Sequence, residues 1–539
     1  MKLLKKIIKL LVPSKLHPWL GTTYSALRGN NHTSSPELTQ AILEQDLFSG
    51  ANNQILVYTT SFWKYALVDL LAFFLFVPVP FARRNPNFIL LELSKGNIAK
   101  SSQERIAITQ LCDSIRIETP FKRCQFVNRL CRLICIGEPF LMEQKISADL
   151  VIFDSMYPLN ADFRFHEFDA YARKFESFAS IANCVDWELI EPSFATLPML
   201  QKKKYYEDSI FENKPTHKII FRDGVWNKSN LVGLDFSESK LLYTVFLRQI
   251  YDIIVENKVK IPFVFTLYPG GCFAIDDAKS DQMLKRVFSS PYFRKVIVTQ
   301  KITYDYLITK GLCEKNKIVF IFGGVINPDF FHDEMCSQKK FYGDGKKTLD
   351  ICFVARRHSF WGDDKGYDIF QQLAKQFSLR HQDVRFHVVG TGWEKVPTME
   401  NFNDFINFYG YIKQKDLGDF FKDKDIILSP NRPFIIGPGY FDGFVPGSVV
   451  EASLHSVAFF ASDELNMNHG YYENHVEAEI ISPELANYLE VLEKYYTSPE
   501  KIKLLAFRGA ARTRELNSPK VQIDKRIEVI REALSNECN

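Results

Sequence analysis

The sequence has little excess charge of either sign and lacks paired cysteine motifs. Its 539 residues carry a formal net charge of +3, which is not the basic surplus of a nucleic-acid-binding protein. None of the ten cysteines forms a Cys-x-x-Cys pair or has histidine partners at zinc spacing. The N-terminus lacks the uninterrupted apolar core of a secretory signal. We therefore expect a reduced, cytoplasmic protein with no nucleic-acid partner.

A hydrophobic run long enough to span a membrane is also missing. The very apolar segment Tyr65–Phe81 contains one aspartate and two prolines, and its uninterrupted part is far shorter than the ~18 residues of a spanning helix. We interpret it as a buried helix. Met1–Val12 places leucines and isoleucines on one helical face and four lysines on the other. This pattern suits a peripheral helix on an anionic membrane surface or a terminal helix docked on the protein's own core.

The length and the order of elements predict several domains, because 539 residues are too many for one hydrophobic core. Apolar strands alternate with helices over about 141–340 and again over 348–515, which indicates two doubly wound parallel sheets. Phe163–Ile181 and Leu241–Glu256 are predicted as long helices. Glu334–Lys347 is the expected linker. Residues 1–140 are expected to form an α/β accessory region and residues 516–539 a C-terminal helix.

Ser429–Asp463 is the stretch that says most about chemistry. A strand is followed by a loop rich in glycine and proline, and a helix begins near Ser448. Backbone N–H groups of Gly447 and Ser448 at the start of this helix can bind an anion such as a diphosphate. Glu451, one turn further on, can accept hydrogen bonds from a ribose diol. Asp442, in the loop, can meet sugar hydroxyls or positive charge at an anomeric carbon.

This stretch resembles the donor-binding motif of glycosyltransferase family 4, in which an acidic residue, a Gly-Phe pair and a second glutamate follow one another. The matching residues here are Asp442, Gly443-Phe444 and Glu451. The first acid is Asp rather than Glu, and the carboxylates lie 451 − 442 = 9 positions apart where the family usually has eight. The resemblance implies a GT-B fold, two Rossmann-like lobes facing across a cleft, with the donor on the C-terminal lobe. The alternative for Glu451 is a solvated helix residue.

A second segment, Ile351–Lys365, resembles the family's strand ending in Gly-Arg and the Lys-Gly-x-Asp start of the next helix. Arg356 and Lys365 match the two cations, although Ala355 replaces the usual glycine and the loop is longer. The resemblance implies that both cations are catalytic and neutralise the departing diphosphate, which accumulates negative charge as the sugar leaves. Arg357 competes with Arg356 for this position. The alternative is a surface arginine pair and a solvated lysine.

Weaker correspondences extend the resemblance to other turns. An apolar strand ends in Gly390-Thr391-Gly392, similar to the family's Gly-x-Gly on the donor side. In the first sheet region, Tyr268-Pro269-Gly270-Gly271 follows a strand where such enzymes place a flexible acceptor-side loop. Many relatives carry a histidine near this position. Because tyrosine stands here, no catalytic histidine is carried over.

The resemblance implies a retaining glycosyltransferase that moves a sugar from a nucleotide-diphosphate-sugar donor to an acceptor. The expected acceptor is a cell-envelope glycan or a lipid-linked saccharide. Neither a cofactor nor a metal ion is expected, since no Asp-x-Asp occurs in a metal-binding setting and Arg356 and Lys365 would take that role. Two other functions stay open: a nucleotide-sugar epimerase, which needs acid/base residues across the cleft, and a non-catalytic GT-B binding protein.

Overall fold

A computed structural model describes residues 144–155, 157, 163–183, 217–222, 231, 234–331, 339–397 and 402–535. The basic segment Met1–Val12, the apolar segment Tyr65–Phe81 and the expected accessory region 1–140 lie outside the described residues. Within the described ranges, no helix combines the length and the apolar character needed to cross a membrane.

A parallel sheet forms the first lobe. Its strands are β1 (Gln144–Asp154), β2 (Phe178–Asn183), β3 (His217–Arg222), β4 (Leu234–Val245), β5 (Phe263–Leu267), β6 (Phe293–Val298) and β7 (Ile318–Phe320). They lie in the order β3-β2-β1-β4-β5-β6-β7, and all neighbours pair in parallel. Strand β5 is buried along its whole length, as expected for a parallel sheet covered on both faces.

The helices of the first lobe cover this sheet. They are α1 (Phe163–Lys174), α2 (Leu247–Tyr251), α3 (Ala278–Phe288) and α4 (Lys301–Thr309), with a π-helical turn at Asp252–Glu256. Helix α3 shows how the sequence specifies them. The Asp277 side chain accepts a hydrogen bond from the Ser280 backbone N–H at 2.7 Å and caps the helix, and the buried Met283, Leu284 and Val287 recur at helical spacing.

Both long helices predicted in this lobe are wrong in part, because each segment also contains a strand. The predicted helix Phe163–Ile181 ends with α1, and its last residues belong to β2. The predicted helix Leu241–Glu256 begins with the last five residues of β4. The chain passes from β4 to α2 at Phe246, whose φ of 70° is rare for a bulky residue. No glycine or proline marks this boundary, and a short apolar run fits a buried strand and a buried helix equally well.

The second lobe is built on another parallel sheet. Two short strands, β8 (Phe341–Tyr342) and β9 (Gly345–Lys346), pair with one another and precede it. The sheet strands are β10 (Leu349–Val354), β11 (Val384–Val389), β12 (Ile406–Phe408), β13 (Ile426–Ser429), β14 (Ala458–Ala461) and β15 (Glu479–Ile480). The main helices are α5 (Tyr367–Arg380), α6 (Leu417–Phe421), α7 (Gly447–Leu454), α8 (Leu485–Thr497) and α9 (Glu500–Asn517).

The two sheets repeat one strand order. The second sheet runs β12-β11-β10-β13-β14-β15, so each lobe places its third, second, first, fourth, fifth and sixth strands side by side. This is the order of a doubly wound nucleotide-binding fold, in which ligands bind at the carboxyl ends of the strands where the order reverses. These switch points lie between β1 and β4 and between β10 and β13. The predicted pair of doubly wound sheets is confirmed.

Segments near the lobe boundaries join the two lobes. The described part of the predicted linker, residues 339–347, contains β8 and β9, and Phe341 is fully buried in the core of the second lobe. Helix α9 packs against α7 and β14. After a π-helical turn at Lys520–Asp524, helix α10 (Lys525–Ser535) returns to the first lobe and contacts β4, β5 and β6. Helix α10 is therefore part of the first lobe's core.

Candidate functional site

The loops at the switch point of the second lobe are held together by close backbone approaches. A Cβ on Gly366 would lie 2.1 Å from the carbonyl oxygen of Pro430, and the φ of Gly366 is +67°. Only glycine allows the start of α5 to approach the end of β13 this closely. The Ser448 hydroxyl donates to the carbonyl oxygen of Val354 at the end of β10 at 2.7 Å. These contacts bring the loops after β10 and β13 to the start of α7.

Lys365 and Asp442 meet at this switch point. The Nζ of Lys365 lies 2.5 Å from Oδ2 of Asp442, and the same oxygen accepts a hydrogen bond from Nδ2 of Asn431 at 2.9 Å. The lysine side chain is buried and the aspartate side chain is 35% exposed. A buried ammonium group needs an anionic partner, because burial removes its hydration. The two residues that the sequence assigned to one site are therefore in direct contact.

The loop after β10 carries three consecutive basic residues. Arg356 is exposed, whereas Arg357 is half-buried and its Nη2 would lie 3.5 Å from a Cβ on Gly392. The third residue, His358, was not selected from the sequence. Burial, and next the positive charge of Lys365, lower the pKa of His358, while Asp442 raises it and Arg356 lowers it. Arg356, His358, Lys365 and Asp442 thus share one electrostatic environment.

Gly390 packs against the backbone of the loop that carries Arg356 and Arg357. Its φ is +130°, and a Cβ there would lie 2.2 Å from the carbonyl oxygen of Ala355. The same oxygen accepts a hydrogen bond from Nε1 of the buried Trp393 at 2.8 Å. Gly390 and Gly392 therefore support the loop that presents the arginines.

Glu451 is buried rather than solvated. It is 8% exposed, and its Oε1 accepts a hydrogen bond from Nε2 of Gln414 at 2.5 Å. The amide oxygen of Gln414 lies 2.7 Å from Nε2 of His166, which belongs to α1 of the first lobe. At the start of the same helix, no side chain caps α7, and no described atom other than its chain neighbours lies within 4 Å of a Cβ placed on Gly447. The interpretation of Glu451 as a solvated helix residue is wrong.

Gly443 and Phe444 contact the first lobe through Gln300, which sequence reasoning did not select. Nε2 of Gln300 donates to the carbonyl oxygen of Phe444 at 3.0 Å, and the Phe444 N–H donates to Oε1 of Gln300 at 3.4 Å. A Cβ on Gly443 would lie 2.9 Å from Nε2 of Gln300. The Phe444 ring itself is buried. Gln300 thus binds the backbone of Phe444 at the lobe boundary, while the Phe444 ring packs in the interior.

A small depression opens beside Asp442. Its walls come from the loop after β13 and the loop after β14, and they include Asn431, Gly443 and Asp463. Asp463 fixes the second loop by accepting backbone hydrogen bonds from Met467 at 2.7 Å and from Asn468 at 2.8 Å.

Solved structures share this architecture. Sucrose-phosphate synthase from Thermosynechococcus elongatus aligns with a TM-score of 0.50 at 12% identity, over 72% of this chain and 99% of that chain. HepE from Anabaena, solved in complex with UDP-glucose, aligns with a TM-score of 0.50 at 13% identity over the same shares. The chain has a GT-B fold. No protein-family model and no curated protein sequence matches it.

In the first GT-B lobe, the predicted acceptor-side residue Tyr268 lies in the interior. Its hydroxyl donates to Oε2 of Glu167 at 2.9 Å, and Nη2 of Arg526 lies 3.4 Å from the same hydroxyl oxygen. Burial, followed by the charge of Glu167, raises the pKa of Tyr268 far above its usual range. The expectation of a flexible loop at Tyr268 is corrected, because an aromatic ring after a buried strand packs into the core.

The glycines after Tyr268 form a tight turn. The Phe273 N–H donates to the carbonyl oxygen of Gly270 at 2.9 Å, and the Arg248 N–H donates to that of Gly271 at 2.8 Å. Just beyond the turn, the Ile275 N–H donates to the carbonyl oxygen of Gly439 at 3.0 Å. The segment that follows the predicted acceptor-side loop therefore contacts the loop after β13 in the other lobe.

Glu167 is the centre of a buried polar cluster. Its Oε1 accepts hydrogen bonds from the hydroxyls of Tyr171, at 3.0 Å, and Tyr243, and lies 3.8 Å from Nε of Arg526. Glu167 and Arg526 are both fully buried. Arg526 also donates to Oε1 of Gln522 at 2.7 Å. The cluster joins α1 and β4 to α10, so a carboxylate and a guanidinium connect the C-terminal helix to the first lobe.

Proposed function

We propose that the chain is a glycosyltransferase whose second lobe binds a nucleotide-diphosphate sugar and which transfers the sugar to an acceptor. One observation carries the proposal: Lys365 and Asp442 pair at the switch point of a doubly wound sheet, which also carries the loop of Arg356 and the uncapped start of α7. Ligands bind such sheets at this point, and helix starts favour anions. Glu451 lies on the same helix and is the fourth residue that we assign to the donor site.

Lys365 and Arg356 are the groups proposed to bind the diphosphate. Lys365 is buried and already paired with one carboxylate, so its charge is fixed in place before the donor arrives. Arg356 is exposed and shares the electrostatic environment of His358 and Lys365. As the sugar leaves, charge grows on the diphosphate oxygens. Fixed cations in a partly dehydrated site stabilise that charge more strongly than water does.

The two carboxylates have different proposed tasks. Asp442 borders the depression beside the cation pair, where its 35% exposed side chain can accept hydrogen bonds from sugar hydroxyls. Glu451 is held by Gln414 and faces the first lobe through His166. A ribose diol would supply two donors to this carboxylate. We assign Asp442 to the sugar and Glu451 to the nucleoside.

The proposed reaction proceeds with retention of anomeric configuration and without a metal ion or cofactor. The bond between the anomeric carbon and the diphosphate breaks on the face where the acceptor hydroxyl attacks, and a leaving-group oxygen accepts the acceptor's proton. This route needs no strong protein base. The protein's part is to hold the diphosphate with Lys365, Arg356 and the backbone of Gly447 and Ser448, and to exclude water when the lobes close.

The first donor class to test is a uridine-diphosphate sugar, because HepE was solved with UDP-glucose. The acceptor class, a cell-envelope glycan or lipid-linked saccharide, is proposed only from the amphipathic pattern of Met1–Val12, in which lysines and apolar residues occupy opposite helical faces.

The decisive experiment uses the full chain and measures binding of UDP, GDP, ADP and UDP-glucose by thermal shift and calorimetry. We expect at least one nucleoside diphosphate to bind. On longer incubation, its sugar conjugate should be hydrolysed slowly to the free nucleoside diphosphate and the sugar. Absence of binding across the panel would refute the proposal. Binding without hydrolysis or transfer to any glycan acceptor would favour a non-catalytic GT-B protein, and an epimerised donor would favour an epimerase.

A further inference from the structure

Asp364 has an unpaired oxygen in the interior. This residue is 3% exposed, and its Oδ1 accepts hydrogen bonds from Ser359, from the backbone N–H at 3.3 Å and from the hydroxyl at 2.5 Å. Its Oδ2 has no hydrogen-bond partner among the described residues. A buried acceptor without a partner is destabilising, so native structures keep few of them without a functional reason.

The group that faces this oxygen is the ring of His358. Its Nδ1 lies 3.8 Å from Oδ2 of Asp364, too far for a hydrogen bond and close enough for an ion pair once the ring is protonated. The two ring nitrogens of histidine lie on opposite sides, so Nε2 is directed away from Asp364. The His358 side chain as a whole is 43% exposed, so a ligand can reach the ring.

Charges of both signs surround the ring before a donor arrives. Burial is the largest effect and lowers the pKa of His358; Lys365 and Arg356 also lower it, and Asp442 and Asp364 raise it. The charged groups described on this loop and on the loop after β13 that packs against it are Arg356, Arg357, Asp363, Asp364, Lys365, Arg432 and Asp442. With its pKa below the ordinary value, the ring is mostly neutral at neutral pH in the empty site.

We propose that His358 is a conditional third cation of the diphosphate site, which takes up a proton from solvent when the donor binds. This inference rests on the proposed function. In the bound state Nδ1–H is directed to Oδ2 of Asp364 and Nε2–H to a phosphate oxygen. The ring gains a second N–H bond with a proton from solvent, no bond of the donor changes, and the proton returns to solvent when the diphosphate leaves.

The sign of the pH effect follows from this exchange. A diphosphate brings negative charge to the ring and favours the imidazolium, so the pKa of His358 is higher in the complex than in the free protein. Donor affinity is then highest at pH values below the pKa of the free protein and falls as pH rises through the pKa of the complex. A pKa difference of one unit corresponds to about a tenfold change in affinity.

The test is calorimetry of the full chain with UDP-glucose, whose phosphates are diesters and do not titrate near neutral pH. Titrations near pH 7 in two buffers with different ionisation enthalpies give the number of protons taken up per donor bound. We expect a fraction of a proton for the native protein, and about tenfold weaker binding at pH 8 than at pH 6. Both effects should disappear in His358→Gln and shrink in Asp364→Asn.

His381→Gln is the matched control, since His381 pairs with Glu493 at 3.2 Å on the far side of α5. It should keep the proton uptake and the pH dependence of the native protein. The same uptake in His358→Gln as in the native protein would overturn the inference while leaving the proposed function intact. No binding of UDP-glucose to the native protein would remove the inference, and no binding of any nucleoside diphosphate would also remove the proposed function.

Discussion

The two lobes share a strand order and differ in what occupies the switch point. In the first lobe, Asp154 at the end of β1 is fully buried and accepts hydrogen bonds from the Tyr157 backbone and from Arg164 and Gln249. In the second lobe, the equivalent strand β10 ends at Val354 and the exposed Arg356 follows in the next loop, while the Asp442 side chain that pairs with Lys365 is 35% exposed. The protein's own side chains fill the first switch point, and charged groups at the second one reach the surface.

This difference shows that the strand order determines where a site can form, and the loops decide whether it does. The first lobe uses its buried charges to hold the C-terminal helix: Nε of Arg526 lies 3.8 Å from Oε1 of Glu167 inside the core. The second lobe leaves charges partly exposed at the loops after β10 and β13. The predictions below separate the two uses, because changes in the second lobe should affect ligand binding and changes in the first should affect stability.

The largest effect is expected for Glu451→Ala. Loss of the proposed nucleoside contact and of the Gln414 anchor should reduce donor turnover by about two to four orders of magnitude, since the site's geometry is lost with the carboxylate. Steady-state kcat/KM for release of nucleoside diphosphate from a UDP-sugar gives the value. Glu490→Ala, at an exposed position on α8, is the matched control and should behave as the native protein. Near-native kinetics for Glu451→Ala would place Glu451 outside the site.

Arg526→Met should reduce stability and leave the donor site intact. Without the guanidinium, Glu167 stays buried with no cation beside it. This lowers the free energy of unfolding by about 3–5 kcal/mol. The thermal transition of the first lobe should fall by roughly 10 °C. Differential scanning calorimetry measures the shift, and UDP affinity well below the transition should be unchanged.

Two further variants make this stability test specific. Arg531→Met changes an exposed arginine on the same helix and should leave the transition in place. The double variant Glu167→Gln with Arg526→Met should recover part of the loss, because no charge is then left unpaired in the core. A native transition temperature for Arg526→Met would show that the buried pair does not stabilise the first lobe.

Lys365→Ala tests the open switch point directly. Removal of a charge-assisted hydrogen bond to the diphosphate costs about 2 kcal/mol, so the Kd for UDP should rise about 30-fold. Calorimetry with UDP measures this change. Lys422→Ala, at a surface lysine of the same lobe paired with Asp419, should leave the Kd unchanged. Equal affinities for the two variants would assign Lys365 a structural role only.

The smallest and most discriminating effect separates the two arginines. Arg356→Ala should weaken UDP binding about tenfold, roughly 1.4 kcal/mol, because Arg356 shares the environment of Lys365. Arg357→Ala should change it less, since its guanidinium lies against Gly392. The ratio of the two dissociation constants at one salt concentration is the measurement. A larger effect for Arg357 would reverse the assignment.

The sequence was sufficient for the architecture where local signals and burial agree. The continuous apolar strands of the second lobe, such as β13 and β14, were bounded by turn residues and appear as predicted. The switch from β4 to α2 escaped prediction because Phe246 makes the turn without glycine or proline. Residue order also favoured Lys365 and Asp442 as one site, and Nζ of Lys365 lies 2.5 Å from Oδ2 of Asp442.

Only the tertiary structure decided which distant positions pair with one another. Gln300 binds the backbone of Phe444 across 144 positions, and His166 meets Gln414 across 248. Nothing local in a glutamine or histidine predicts such a partner, because the partner is chosen by how the two sheets pack. The sequence by itself determined the alternation of strands and helices in the second lobe and the cationic loop, through apolar periodicity and turn chemistry. Long-range packing decided that Tyr268 is interior, that Glu451 is buried and that His358 faces Asp364.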